Sequence, residues 1–184
     1  MKFFSSQEWS LIESSVLKAE ELAGEYFKIT SFGPDKYVYE VVTLKDARAE
    51  EIEPGNFAHL IRYMRVKPGP GHSRKPERYY RILLQDVEIL NCIGRHEADF
   101  GMDALLLYVL THELIHVVRF ERFQQAVEVE KEKREKEESA VHKITGEILL
   151  PIADAELRNV LAKYNVPSGD CFRVTDKTTG CLEE

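Results

Sequence analysis

Cysteine is scarce in this chain: three in 184 residues, Cys92, Cys171 and Cys181. Three thiols cannot knit a disulfide scaffold, so a cytoplasmic setting is the expectation, with Cys171 and Cys181 free in a C-terminal tail. Long apolar runs are missing as well. The N-terminus, Met1-Lys-Phe-Phe-Ser-Ser-Gln-Glu-Trp9, lacks the apolar centre of a secretory leader. The most apolar stretch, Ala104 to Phe120, is short for a membrane span and is interrupted by Thr111, His112, Glu113, His116 and Arg119. No membrane association is expected. Internal repeats are absent, and neither Gly nor Pro occurs between Asp103 and Thr145.

What is present belongs to an ordinary globular protein: 43% apolar and 31% charged residues. The length suits a single domain, 1–184, with a real hydrophobic core. The net charge of −7 is unevenly spread. Arg62, Arg65, Lys67, Arg74, Lys75, Arg78 and Arg81 face only Glu77 between residues 62 and 81, a local +6 that leaves −13 elsewhere. Such a patch could bind an anionic peptide or an acidic part of the same chain, or be a solvated loop. It lacks the interleaved aromatics of a single-strand binder, so a nucleic-acid partner is not expected.

Ser5 and Glu8 have the spacing of a capping box, with Phe4 as a staple, and Trp9, Ile12, Val16, Ala19 and Ala23 continue an amphipathic helix to about residue 24. Tyr26 to Thr30 and Tyr37 to Leu44 read as strands around a Gly33-Pro34-Asp35 turn. Asn56 is placed to cap a short helix through Leu60, Ile61 and Met64. Pro68 to Gly71 is a loop, and Arg78 to Gly94 reads as one or two strands. A charged stretch after residue 120 leads to a second amphipathic helix, then a helix near Ala153 to Tyr164 and a polar tail, about 166–184.

The most telling residues are His112-Glu113-Leu-Ile-His116. Positions four apart share one helix face, so both imidazoles can grip one zinc ion while Glu113 stands beside it, able to take a proton from water activated by the metal. The surrounding helix is apolar nearly all round and therefore buried. Two imidazoles and a carboxylate are costly there unless they are paired or bind metal. The plainer alternative is a pair of satisfied core histidines with Glu113 turned to solvent.

A catalytic zinc usually has three protein ligands and a water. The candidates lie in Glu137-Glu138-Ser-Ala-Val-His142. With Val141 at zero and about 100° per residue, Glu138 falls near +60° and His142 near +100°, neighbours on the flank of the Val141, Ile144 and Ile148 stripe. One could ligate metal while the other supports it or donates to the transition state. On one unbroken helix His142 would lie about 39 Å from His116, so a shared site requires the chain to reverse, within Gln124 to Lys133.

The motif, in an apolar helix after a strand-rich segment, resembles the zincin superfamily of zinc metallopeptidases. In the gluzincin branch the third ligand is a glutamate on a following helix, often within ExxxD. Glu138 stands 22 residues after His116, and His142 takes the place of the aspartate. The metzincin pattern fails, since Arg119 and Arg122 stand where it has Gly and His. The resemblance covers about residues 78–150. It implies an α+β fold, with a small mixed or antiparallel sheet packed on the buried HExxH helix and a following helix. It implies Zn2+ held by His112 and His116 with Glu138 or His142, Glu113 as general base, and a peptide or protein substrate. The oxyanion would need a donor, with Tyr79, Tyr80, His142 and Arg119 as candidates. Tyr80 to Gln85 would be the edge strand that aligns the peptide. The alternative is a regulatory or metal-binding protein keeping such a fold without turnover. A metal-binding helical protein of the di-iron sort is not expected, since Glu113-Leu-Ile-His116 supplies one ExxH and the chain has no second. Neither the substrate nor the oligomeric state is legible.

Overall fold

The computed structural model describes residues 3–33, 36–52, 54–65, 77–94, 99–123, 131–165 and 172–178. It is a mixed α+β arrangement with one contiguous apolar core. Helix α1 spans Ser6–Phe27, and its capping box is made: Ser5 Oγ accepts from Glu8 N while the Glu8 carboxylate accepts from Ser5 N. The expected strand at Tyr26 to Thr30 does not form. Instead α1 runs on to Phe27 and ends at Lys28, whose left-handed backbone (φ 56°) turns its N–H back to Gly24 O. Strand β1 covers Tyr39–Thr43. Pro34 and Asp35 of the expected turn lie outside the described residues; Gly33 and Lys36, which flank them, exchange backbone hydrogen bonds.

Residues Ala58–Arg65 are strand β2, not the short helix that Asn56 was expected to cap. Ala58, Leu60, Ile61 and Tyr63 are all buried, and so is His59. A strand buried on both faces has no clean period of two, and a short apolar run of that kind reads equally well as helix. The register with strand β3 (Glu77–Leu84) decides it, pairing eight residues antiparallel from Ala58↔Leu84 to Arg65↔Glu77. The expected strand character stops at Leu84. Residues Asp86–Ile93 form helix α2, burying Asp86, Ile89 and Cys92 at helical spacing. The thiols of Cys171 and Cys181, the loop at Pro68 to Gly71 and the basic residues Lys67, Arg74 and Lys75 fall outside the described residues.

Helix α3 (Met102–Phe123), helix α4 (Lys131–Leu149) and helix α5 (Ala155–Tyr164) follow, α5 capped by the Asp154 side chain accepting from Leu157 N. Part of the expected polar tail is strand β4, Phe172–Thr178. The sheet order is β1-β3-β2-β4, with β1 parallel to β3 and β4 parallel to β2. Strand β3 is thus interior and paired on both sides, so Tyr80 to Gln85 offers no open edge to a peptide. On one face Ala58, Leu60, Tyr80, Ile82 and Leu84 join the core built by α1 and α3. Against the other face lies a 3-10 turn at Ala49–Glu51. The buried Glu51 carboxylate takes hydrogen bonds from Tyr63 Oη and from Arg81 Nη1, the latter at 3.3 Å. Among the described residues no helix is long and apolar enough to cross a membrane.

Asp86 ties three parts of this frame together. Its fully buried carboxylate accepts from Phe4 N (3.0 Å), just ahead of α1, and from Leu44 N (2.9 Å), just after β1. Removing it strands two backbone donors, each worth about 1–3 kcal/mol when left unsatisfied. Asp86→Ala should therefore lower unfolding stability by about 2–4 kcal/mol in urea titrations, and a loss below about 0.5 kcal/mol would contradict this role.

Candidate metal centre

Helix α3 is apolar on every side because it lies between α1, α4, α5 and the sheet. Its polar residues Thr111, His112, Glu113 and His116 are all fully buried. His112 and His116, one turn apart, bring their Nε2 atoms to 3.2 Å. The chain does reverse after α3, and α4 returns Glu138 to the same point. Its Oε2 lies 3.5 Å from His112 Nε2 and its Oε1 3.3 Å from His116 Nε2. A tetrahedral zinc with ligands at about 2.0–2.1 Å has coordination edges of about 3.4 Å. The three donors therefore already stand at the spacing that one small cation needs. Among the described residues this is the one group of three or more His, Cys, Asp or Glu with donor atoms mutually within 4.8 Å.

A clasp beside the site sets the register of α4. Arg119 Nε and Nη2 donate to the two oxygens of Glu137 at 2.6 and 2.8 Å, a bidentate pair joining α3 to α4 at the residue before Glu138. Such forks fix direction as well as distance. Arg119, named as a candidate oxyanion donor, is thus engaged by Glu137. Tyr80, another candidate, donates to Glu121 at 2.8 Å, and Tyr79 stacks on Tyr63 at 4.8 Å between ring centroids, away from the core face.

His142 stands outside the triangle of donors but against it, its ring centroid 4.8 Å from that of His112. Its Nδ1 is 3.3 Å from Tyr108 Oη, and that hydroxyl donates to Tyr164 O at 2.8 Å. With its proton committed to the carbonyl, the hydroxyl accepts from Nδ1–H, which leaves Nε2 of His142 as the unprotonated nitrogen. Burial, partly offset by the Glu138 charge and the Asn165 side chain, lowers the pKa of His142 and keeps it neutral. Tyr108 was not singled out in the sequence. It lies four residues before His112, so Tyr108, His112 and His116 form one stripe at helical spacing, a signal that was available.

The electrostatics follow from burial. Glu113 has no hydrogen-bond partner for either oxygen among the described residues, and desolvation lifts its pKa to about 8, with the His116 charge opposing and the Glu138 charge reinforcing the rise. For Glu138 burial alone would raise the pKa, but the His116 charge and hydrogen bonds from both histidines hold it well below the usual carboxylate range. Burial depresses His112 to about 3. Burial also works against the protonation of His116, but Glu138, Glu113 and Glu137 outweigh it and raise that group. Without metal, these shifts favour a proton on His116 beside an ionised Glu138, with His112 neutral. A cation would take its place on the same lone pairs.

No family model, curated protein or solved structure matches this chain. The geometry stands alone.

The clasp has a measurable consequence. Charge-assisted hydrogen bonds are worth about 1.5–3 kcal/mol, so Arg119→Ala, which leaves Glu137 half-buried and unpaired, should destabilise the fold by about 2 kcal/mol in chemical denaturation. An unchanged midpoint would show that α4 docks without the clasp.

Proposed function

We propose that this chain is a zinc-dependent metallopeptidase of zincin-like, gluzincin-type design. The observation that supports it is the meeting of Glu138 from α4 with His112 and His116 of α3, beside a buried carboxylate, Glu113, that no group among the described residues satisfies. His112, His116 and Glu138 would hold the metal, and two nitrogens with one carboxylate oxygen suit zinc. Bound there, zinc supplies a Lewis acid that polarises the scissile carbonyl and lowers the pKa of a coordinated water to about 7.

The rest is the work of the chain. Glu113, next to a ligand in sequence and sealed from bulk water, takes a proton from the attacking water and returns it to the departing amine. A carboxylate raised toward neutrality is better matched to both transfers than a solvated one. His142 steadies the wall of the site through its contact with His112 and is held by Tyr108 rather than serving as a ligand. Arg119 and Glu137 keep Glu138 in register.

One observation favours a second reading, a metal-binding or regulatory protein without turnover. His112, Glu113 and His116 have no accessible surface, and the Glu138 side chain is only 20% exposed, as in a closed structural site. The deciding measurement combines metal content with hydrolysis of unfolded peptide substrates. Protein purified without added metal should carry about one zinc per chain, and His116→Ala or Glu138→Ala should lose it while His142→Ala keeps it. Glu113→Gln should retain zinc yet lose turnover about 100-fold to 10,000-fold, the usual worth of a general base. Zinc-loaded wild type with no turnover would favour the second reading. No zinc uptake by wild type would overturn both.

A further inference from the structure

Among the described residues strand β1 is an edge strand, paired only with β3. Tyr80 N donates to Val38 O at 2.9 Å, and Tyr80 is in register with Tyr39. In a parallel ladder the backbone groups of alternate residues point the same way. Val38, Glu40 and Val42 therefore turn theirs to β3, while Tyr39 and Val41 turn N–H and C=O outward. Against that open edge lies a groove of about 700 Å3 between β1 and α1. Trp9, Val16, Leu17, Phe32, Tyr39 and Val41 line it, with Leu17 68% exposed and Trp9 36% exposed. No residue of α3 or α4 borders it, so it is separate from the metal centre.

The rim is acidic. Glu13 accepts from Trp9 Nε1 at 3.0 Å and Glu20 from Tyr39 Oη at 2.6 Å, and in both bonds the donor is a neutral group rather than a cation. Glu40, on the opposite face of β1, is paired with Arg81 at 2.7 Å. Lys36, over the Tyr37 ring, is the nearby cation. A second copy docking β1 against β1 would bring Glu13, Glu20 and Glu40 toward their own counterparts, a like-charge arrangement that costs energy.

We propose that this groove binds an extended peptide segment that carries apolar and basic side chains on one face and adds to β1 as a further strand. Tyr39 and Val41 supply the main-chain hydrogen bonds, and every second side chain of the segment turns toward α1, where the apolar ones enter the groove and the basic ones meet Glu13 and Glu20 on the same face. Main-chain pairing gives affinity in this mode, and the pockets for alternate side chains give selectivity. The segment belongs to a partner protein and is not the peptide hydrolysed at the metal centre.

Fluorescence anisotropy of a labelled Lys-Thr-Val-Thr-Val-Thr-Lys peptide, whose lysines and valines share one face, titrated with the full chain, tests this. Saturable binding is expected, unchanged by a metal chelator. It should weaken about tenfold or more when glutamate replaces the lysines or when the valine amides are N-methylated, each such loss being about 1.4 kcal/mol. Val41→Pro, which removes an outward N–H at an edge where proline is tolerated, should weaken it by a similar factor, as should Leu17→Glu on the groove rim. Leu17 is exposed, so that variant remains informative if the proline perturbs folding. Absence of binding, binding indifferent to N-methylation or to Leu17→Glu, or binding abolished by the chelator would each overturn the proposal.

Discussion

Everything in this protein depends on the burial of a polar stripe within an otherwise apolar helix. Helix α3 carries Leu105, Leu106, Val109, Leu110, Leu114, Ile115, Val117 and Val118, all essentially without exposed surface, and this apolar surround places it at the centre of the molecule. His112, Glu113 and His116 are carried in with it. Stripping water from such groups is costly unless other polar atoms replace it. Glu138 and, one residue earlier, the Glu137 clasp to Arg119 are that replacement. The docking of α4 on α3 and the assembly of the candidate centre are therefore one interaction.

The sheet is organised around the same economy of polar groups. Its helix-facing side is apolar core, but its other side buries Glu51, which gathers Tyr63, Arg81 and the backbone N–H of Arg48. His59 Nδ1 meets the Glu51 carbonyl oxygen at 3.0 Å. Asp86 does comparable work at the other end of the frame, capturing the approach to α1 and the exit from β1. In each place a buried carboxylate joins segments far apart in sequence, and each is satisfied by several donors, the condition under which burying a charge is tolerable. Glu113 stands apart from these, with no partner for either oxygen among the described residues. That contrast supports the peptidase proposal, in which Glu113 serves chemistry rather than folding.

The candidate metal centre lies between α3 and α4, and the groove lies between β1 and α1. One is sealed and built from converging donors; the other is open, apolar and rimmed with carboxylates. A protein that cuts peptides at one place and holds a peptide segment at another would gain selectivity through the second contact without altering the first.

Much was legible before any coordinates. The capping box at Ser5 and Glu8, the burial of α3, the α5 helix opened by Asp154 and the pairing of two imidazoles at 112 and 116 all follow from local periodicity and side-chain chemistry. Other segments misled for identifiable reasons. Ala58–Arg65 is buried on both faces, so its pattern could not separate strand from helix, and only pairing with β3 settled it. Asp86–Ile93 has an apolar content that suits a strand, but Asp86 draws the backbone donors of Phe4 and Leu44 to a helix start. The choice between Glu138 and His142 could not be made on a helical wheel, where they are neighbours; it is the packing of α4 on α3 that brings one carboxylate to the histidines and leaves the imidazole beside them. The sequence by itself determined which residues could carry chemistry, because donor type and helical spacing are local properties. Which of them meet was decided only by the tertiary structure, because a contact between His116 and Glu138, 22 residues apart on two helices, depends on packing that no local pattern encodes.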